Sequence, residues 1–365
     1  MSRAVEASAT APAAPIDFGY RSRDLRLGNL VALRVRSRAL TLNAVICALA
    51  VILSVIGLGL GDYPLRPTQV LSVLAGNGEA FERIVVVEWR LPMAVAALVL
   101  GALLGISGAV FQSVTRNPLG SPDIIGFDAG SYTGVVLTVL VLGANDFWAI
   151  ALAALAGGLL AAFVVALLAS RGGGIQGFRL IIVGIGISAV LGSVNAYLIT
   201  RANPETAVTI GFWGAGSLTG LTWSALVPAV IGGTVVICAM VLLAPSLRQL
   251  EAGDDSALAQ GVNARRTRPL LLIVGVMATA LVTAVAGPIG FVALAAPQLA
   301  RRVSGSPGVS VAAAACMGAL LVSAAQLVSL LFAQFARAVP VGLITVALGG
   351  LYLIWLLIRE TRKAV

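Results

Sequence analysis

The chain has 365 residues, 59% of them hydrophobic and 11% charged, and a mean hydropathy of +1.01. A soluble domain carries about 25% charged residues, so this composition belongs to a multi-span membrane protein. The formal charge of +9 does not indicate nucleic-acid binding, because the basic residues sit between apolar runs where membrane topology accounts for them.

Lys363 is the single lysine and histidine is missing. A phosphate-binding P-loop needs a lysine before Ser or Thr, and a zinc protease needs histidine ligands; both are excluded. Residues 1–38 are rich in Arg and Ala, lack an apolar core of signal-peptide length, and read as a disordered, basic arm ahead of a single membrane domain over 39–365. Cys47, Cys238 and Cys316 fall in three separate apolar runs and read as small hydrophobes.

A helical crossing takes about 20 apolar residues. Ten candidate spans appear: 40–61, 91–112, 124–142, 147–169, 178–199, 224–244, 269–286, 288–300, 309–333 and 340–358. The eighth is short and flanked by Pro288 and Pro297. With the N-terminus inside, 19 Arg and Lys lie inside and 5 outside, the bias expected of cytoplasmic loops. Both termini are then cytoplasmic, in a bacterial inner membrane. Trp89, Trp148, Trp213 and Trp223 fall at outer ends, where an aromatic belt sits.

The second span is rich in Gly, Ala and Ser, which let helices approach closely in lipid. Its Gly105-Ile106-Ser107-Gly108 imitates an intramembrane serine protease, but the chain offers no histidine as general base. The span ends in a polar knot, Arg116, Asn117, Pro118, Leu119, Gly120, Ser121, Pro122, Asp123. Its prolines end one helix and fix the turn before the next, and it reads either as part of an inner gate or a contact for a partner ATPase, or as a tight loop. Asp128 is the one acidic residue placed well inside a span, about one turn from its cytoplasmic end. It is a pathway candidate or a side chain that snorkels to water. Gly184 and Gly186 imitate a dinucleotide fingerprint without the strand that motif requires.

On the outer side, Asn203, Pro204 and Glu205 open a short helix as cap, first position and first-turn acid, running toward Trp213 and Leu218. The longest polar interruption beyond the arm is Pro245–Arg268. There Asp254 or Asp255 can cap a short helix that Gly261 ends, and Leu247, Leu250 and Leu258 give an apolar side.

Several ordered blocks together resemble the permease family of ATP-binding-cassette importers for iron siderophores, haem and cobalamin. They are Arg90-Leu91-Pro92, Ser107-Gly108-Ala109 with Gln112, Asn117-Pro118-Leu119-Gly120-Ser121-Pro122 with Gly126, Glu205–Trp223, Glu251–Val262 and Leu348–Lys363. The likeness runs from about Asp62 to the C-terminus and is closest to the ferric-enterobactin branch.

The resemblance implies an all-α fold of about ten spans with type II importer architecture. It implies a ferric-siderophore permease subunit, not an enzyme, that works by alternating access, with cobalamin or haem as alternative cargo. A heterodimer with a related permease is implied, together with a cytoplasmic ATPase dimer that binds ATP and Mg and a substrate-binding protein. It further implies coupling to the ATPase through Leu247, Leu250, Glu251, Gly253, Asp254, Asp255, Leu258 and Gly261, and docking of the binding protein at Arg90, Arg83 or Arg337. Asn203, Pro204, Glu205 and Trp213 become an outer gate. Met93, Gln298 and Gln326 depart from the family's Arg, His and Asp. An ion-coupled secondary transporter is the rival from another class; it needs intramembrane ionisable groups, and one Asp in ten spans argues against it.

Overall fold

The computed structural model describes residues 22–27, 31–123, 125–144, 146–171, 174–175, 177–306, 308–335 and 338–364. Its membrane body is helical throughout. Among the described residues seven helices are long and apolar enough to cross a bilayer: α1 (Ser37–Leu58), the continuous Ala80–Thr115, α6 (Phe147–Ala169), α7 (Gly177–Thr200), α9 (Trp223–Glu251), α11 (Ala264–Ala286) and α13 (Val311–Ala333).

Ala80–Thr115 comprises α3 (Ala80–Arg83), a π-helical stretch (Ile84–Arg90) and α4 (Leu91–Thr115). Shorter elements are α2 (Pro67–Leu74), α5 (Phe127–Val141), α8 (Pro204–Gly214), α10 (Asp254–Ala259), α12 (Val292–Ser304) and α14 (Val341–Ala364).

Four expectations change. First, part of the arm is ordered: β1 (Ser22–Leu27) pairs antiparallel with β2 (Val31–Arg36), with Leu25 opposite Leu33. The last four residues of each segment, Asp24 to Leu27 and Leu33 to Arg36, alternate apolar and polar, the strand period. Second, α12 has 13 residues, about 20 Å of helix. The segment expected as the eighth span is therefore helical over only part of the roughly 30 Å hydrocarbon layer; the non-helical residues 287–291 precede the helix beside Trp213 at one end, and Gly308 beyond it reaches Glu251 at the other. Third, α5 has 15 residues and is also short, because the preceding polar knot uses part of the membrane depth. Fourth, the sixth span, expected to end at 244, runs on as helix to Glu251. α9 continues through Pro228 and Pro245, held by Leu247 and Leu250, which are fully buried. A short two-residue ladder, β3 (Ser170–Arg171) with β4 (Gly174–Ile175), links α6 to α7.

α4 is the axis of the body. It packs on α13, α11, α12, α9 and α1, and most of its residues from Ala96 to Val114 are buried. Lipid tails are as apolar as leucine, so helices in a bilayer associate through close van der Waals contact and hydrogen bonds. Gly101, Gly105 and Gly108 supply that contact. A Cβ on Gly101 would stand 2.5 Å from Gly318 O on α13, and a Cβ on Gly105 or Gly108 would come closer still to Ala314 O or Ala293 O.

Beside this stripe Ser107 Oγ donates to Gly275 O (2.7 Å) and accepts from Thr279 Oγ1 (2.8 Å). Gln112 Nε2 donates to Leu294 O (2.9 Å). The Ser107 that imitated a nucleophile is thus a satisfied helix–helix contact.

Gly105→Ala should force α4 away from α13, at the 1–3 kcal/mol or more typical of overpacking. Gly192→Ala, where nothing lies within 4 Å, should be neutral or slightly stabilising. Thermal unfolding of the two purified variants in detergent distinguishes these outcomes.

Candidate functional site

At the end of the body where α4 finishes, three sequence-distant segments are tied together. Arg116 ends α4 in the left-handed region, φ 50°. Its Nη2 donates to Leu250 O (2.8 Å) and pairs with Asp254 Oδ1. Arg268, at the start of α11, pairs with the same oxygen at 2.6 Å. Ser113 donates to Glu251 Oε1. The side chains of Arg116 and Asp254 are 43% and 45% exposed, so each ion pair contributes about 0–1 kcal/mol. The value of the cluster is geometric: it fixes the end of α9, the whole of α10 and the start of α11 against the last turn of α4.

Asp254 and Asp255 occupy the first turn of α10, where they favour its positive end, and neither caps it. The N-cap is Gly253, at φ 122°. Gly261 takes φ 84°, the left-handed conformation that terminates helices. The expected apolar side divides: Leu247 and Leu250 face the chain's own core, as does Ala257, while Leu258 is 65% exposed. Sequence reading missed Ser113, Ala257 and Arg268 here. Nothing in their local sequence distinguishes them.

The polar knot is only partly a surface loop. Arg116, Pro118 and Leu119 are exposed, but Gly120, Ser121 and Pro122 are buried. Asn117 Oδ1 accepts from Leu119 N (2.9 Å), an Asx turn, and Pro118 O accepts from Gln298 Nε2 (2.7 Å). Asp123 Oδ2 accepts from the Phe291 backbone N–H at 3.1 Å. The knot therefore folds inward onto the bend between α11 and α12. Asp128, second residue of α5, does not snorkel: its Oδ1 is buried and its carboxyl meets Asp123 and Thr283.

At the opposite end Asn203 caps α8, its Oδ1 accepting from Thr206 N at 2.8 Å, with Pro204 and Glu205 in the first turn. Trp213 stacks on Tyr132 of α5 (centroids 6.3 Å apart, 8° between planes). Ser217 N donates to Ala286 O (2.7 Å) and Gly342 N to Gly216 O (3.0 Å). The end of α8 thus rests on the α11–α12 bend and on the start of α14.

Arg90 is an internal staple. Its guanidinium donates to Leu58 O (2.9 Å) and Tyr63 O (2.7 Å), holding the loop after α1. Arg83 is exposed, and Arg337 lies outside the described residues. Met93 and Gln326 line one cavity of about 250 Å³ between α1, α4 and α13, together with Arg90 and Trp89. Gln298, the third departure, bridges Pro118 O and the Tyr352 hydroxyl.

A small-residue axis, surrounding spans, a tied knob at one end and a capped short helix at the other define a polytopic membrane transport protein. The model of the FecCD transport family matches residues 48–359, and the chain belongs to that family. It is 46% identical over 330 residues to the ferric enterobactin transport system permease protein FepG of Escherichia coli, covering 90% of this chain and 99% of the relative. It is 30% identical to the Fe(3+)-citrate import system permease protein YfmE of Bacillus subtilis, covering 90% and 98%. A solved inward-facing conformation of a metal-chelate type ABC transporter superposes with a TM-score of 0.73 at 26% identity, covering 88% of this chain and 99% of that one. Membership in a permease family sets aside the secondary-transporter rival.

Asn203→Ala should destabilise α8 by about 0.5–2 kcal/mol. Hydrogen exchange at Thr206–Thr209 should accelerate while α4 amides stay protected.

Proposed function

We propose that this chain is one membrane subunit of an ATP-driven importer carrying a ferric siderophore across the bacterial cytoplasmic membrane. The observation that carries the reading is the near full-length likeness to a ferric enterobactin permease. In this reading the Arg-rich end, with both termini and α10, faces the cytoplasm; the excess of basic residues in the loops on that side supports it. A related permease completes the channel. A separate ATPase pair binds ATP and Mg, and a substrate-binding protein docks at the other face.

Alternating access needs a rigid element that turns ATPase closure into helix movement. α10 fits the role: its exposed Leu258 and Asp255 face outward, while Ala257 and the Asp254 ion pairs anchor it to α4, α9 and α11. The knot at Arg116–Asp123, packed on the α11–α12 bend, serves as the inner gate. α8, with Trp213, serves as the outer one. Arg83 is the better placed docking cation, because the Arg90 donors are engaged internally. A large chelate suits a passage lined by small and apolar groups.

Leu258→Asp should weaken co-purification with the cognate ATPase about 10- to 30-fold, the size of a lost interface hot spot, with an unchanged melting temperature. Gly261→Pro should act in the same direction, since proline cannot adopt a positive φ. Full complex formation and transport by both variants would overturn the coupling assignment. Uphill accumulation of ferric chelate in vesicles holding this chain alone would overturn the function.

A further inference from the structure

Buried polar atoms without a hydrogen-bond partner concentrate at one place. Six of the nine among the described residues, Ser121 Oγ, Asp123 Oδ1, Asp128 Oδ1, Ser131 Oγ, Ser188 Oγ and Asn195 Oδ1, gather around the start of α5. Asp123 and Asp128 lie beside each other, and among the described residues no other ionisable group acts on either. Thr283 of α11 neighbours Asp128.

Two groups of α7 face the same turn, while Ser131 Oγ faces Gly158 of α6. Ser188 Oγ lies 3.0 Å from where a Cβ on Gly126 would sit. Asn195 Nδ2 donates to Ala129 O (3.4 Å), which sets its Oδ1 beside the first turn of α5. Ser121 and Ser131 are 1% and 0% exposed. No arginine or lysine contacts the cluster among the described residues.

Two ionised carboxylates carry no hydrogen, so neither can donate to the other. Side by side in a medium of low dielectric they repel, and uncompensated charge at membrane depth is costly. One proton supplies the missing donor and removes one charge, and the positive end of α5 favours the charge that remains. The hydroxyl and amide oxygens around them are polar enough to hold buried water.

The other oxygen of Asp123 already holds the N–H of Phe291, a non-glycine residue at φ 69° in a conformation that persists only when its surroundings fix it. We propose that Asp123 and Asp128 form an intramembrane proton-binding site, holding one proton between them, and that its occupancy keeps the α4–α5 loop docked on the α11–α12 bend.

Infrared difference spectra of the full chain in detergent, in water and in heavy water, test this. A protonated-carboxyl C=O band that shifts on deuteration is expected in the wild type, and its loss in D128N. Should D128N and D123N not fold, carbon-13 labelling of all aspartates in the wild type decides. The band must then move with the label, and it must survive in a D17N/D24N variant, since Asp62, Asp146, Asp254 and Asp255 are exposed. A wild-type spectrum without the band, or a band that ignores the label, overturns the proposal. So does a sodium-specific rise in melting temperature relative to choline chloride, since a metal ion would then take the proton's place.

Discussion

The body depends on how closely α4 approaches its neighbours. In hydrocarbon, burying a leucine against another helix gains little over leaving it in lipid, so stability must come from short-range packing and internal hydrogen bonds. The stripe Gly101, Gly105, Gly108 brings the backbones of α13 and α12 into direct contact with α4. Once these backbones touch, Ser107, Thr279 and Gln112 reach carbonyl and hydroxyl partners across the gap. Large side chains on the stripe would remove both effects together.

The same axis sets the positions of the functional ends. Arg116 lies immediately beyond the last residue of α4 and Arg90 immediately before the first, and each guanidinium bonds to backbone carbonyls of another segment. The knot that begins at Arg116 turns inward because its prolines forbid further helix and because Asp123, Gln298 and Asn117 make hydrogen bonds to backbone groups in and beside it. The cost of carrying backbone polar groups into the membrane is thus partly offset locally, while Ser121 Oγ and Asp123 Oδ1 stay unpaired.

Much of this was legible in the sequence, because membrane constraints are written in composition. The small-residue run at 91–112, the prolines of the knot, the Asn203 cap and the left-handed Gly261 all follow from local chemistry and all appear as expected. Three-dimensional partners were not legible. Periodicity cannot say that Leu247 and Leu250 turn inward while Leu258 turns out. Nor can it say that Asp254 is an ion-pair partner for Arg116 and Arg268 instead of a cap. Asp128 was recognised as unusual, but its pairing with Asp123 depends on a loop that folds back into the membrane. A hydropathy window reads that loop as a boundary. It likewise read 288–300 as one continuous helix, although the chain bends at Phe291 and α12 begins only at Val292.

The backbone contacts along α4 also bear on how such a body can change shape. With 25 residues, α4 is roughly 37 Å long, and each degree of tilt would sweep its far end through roughly 0.6 Å of arc for that length. Interlocked glycines leave no slack for sliding, so α4 cannot pivot alone without tearing apart the seams with α12 and α13. Any rocking must carry the three helices as a single slab. Deformation is then left to joints such as those of α4 with α9 and α11, where Gly233 meets the Leu103 side chain and Gly275 meets those of Val110 and Phe111.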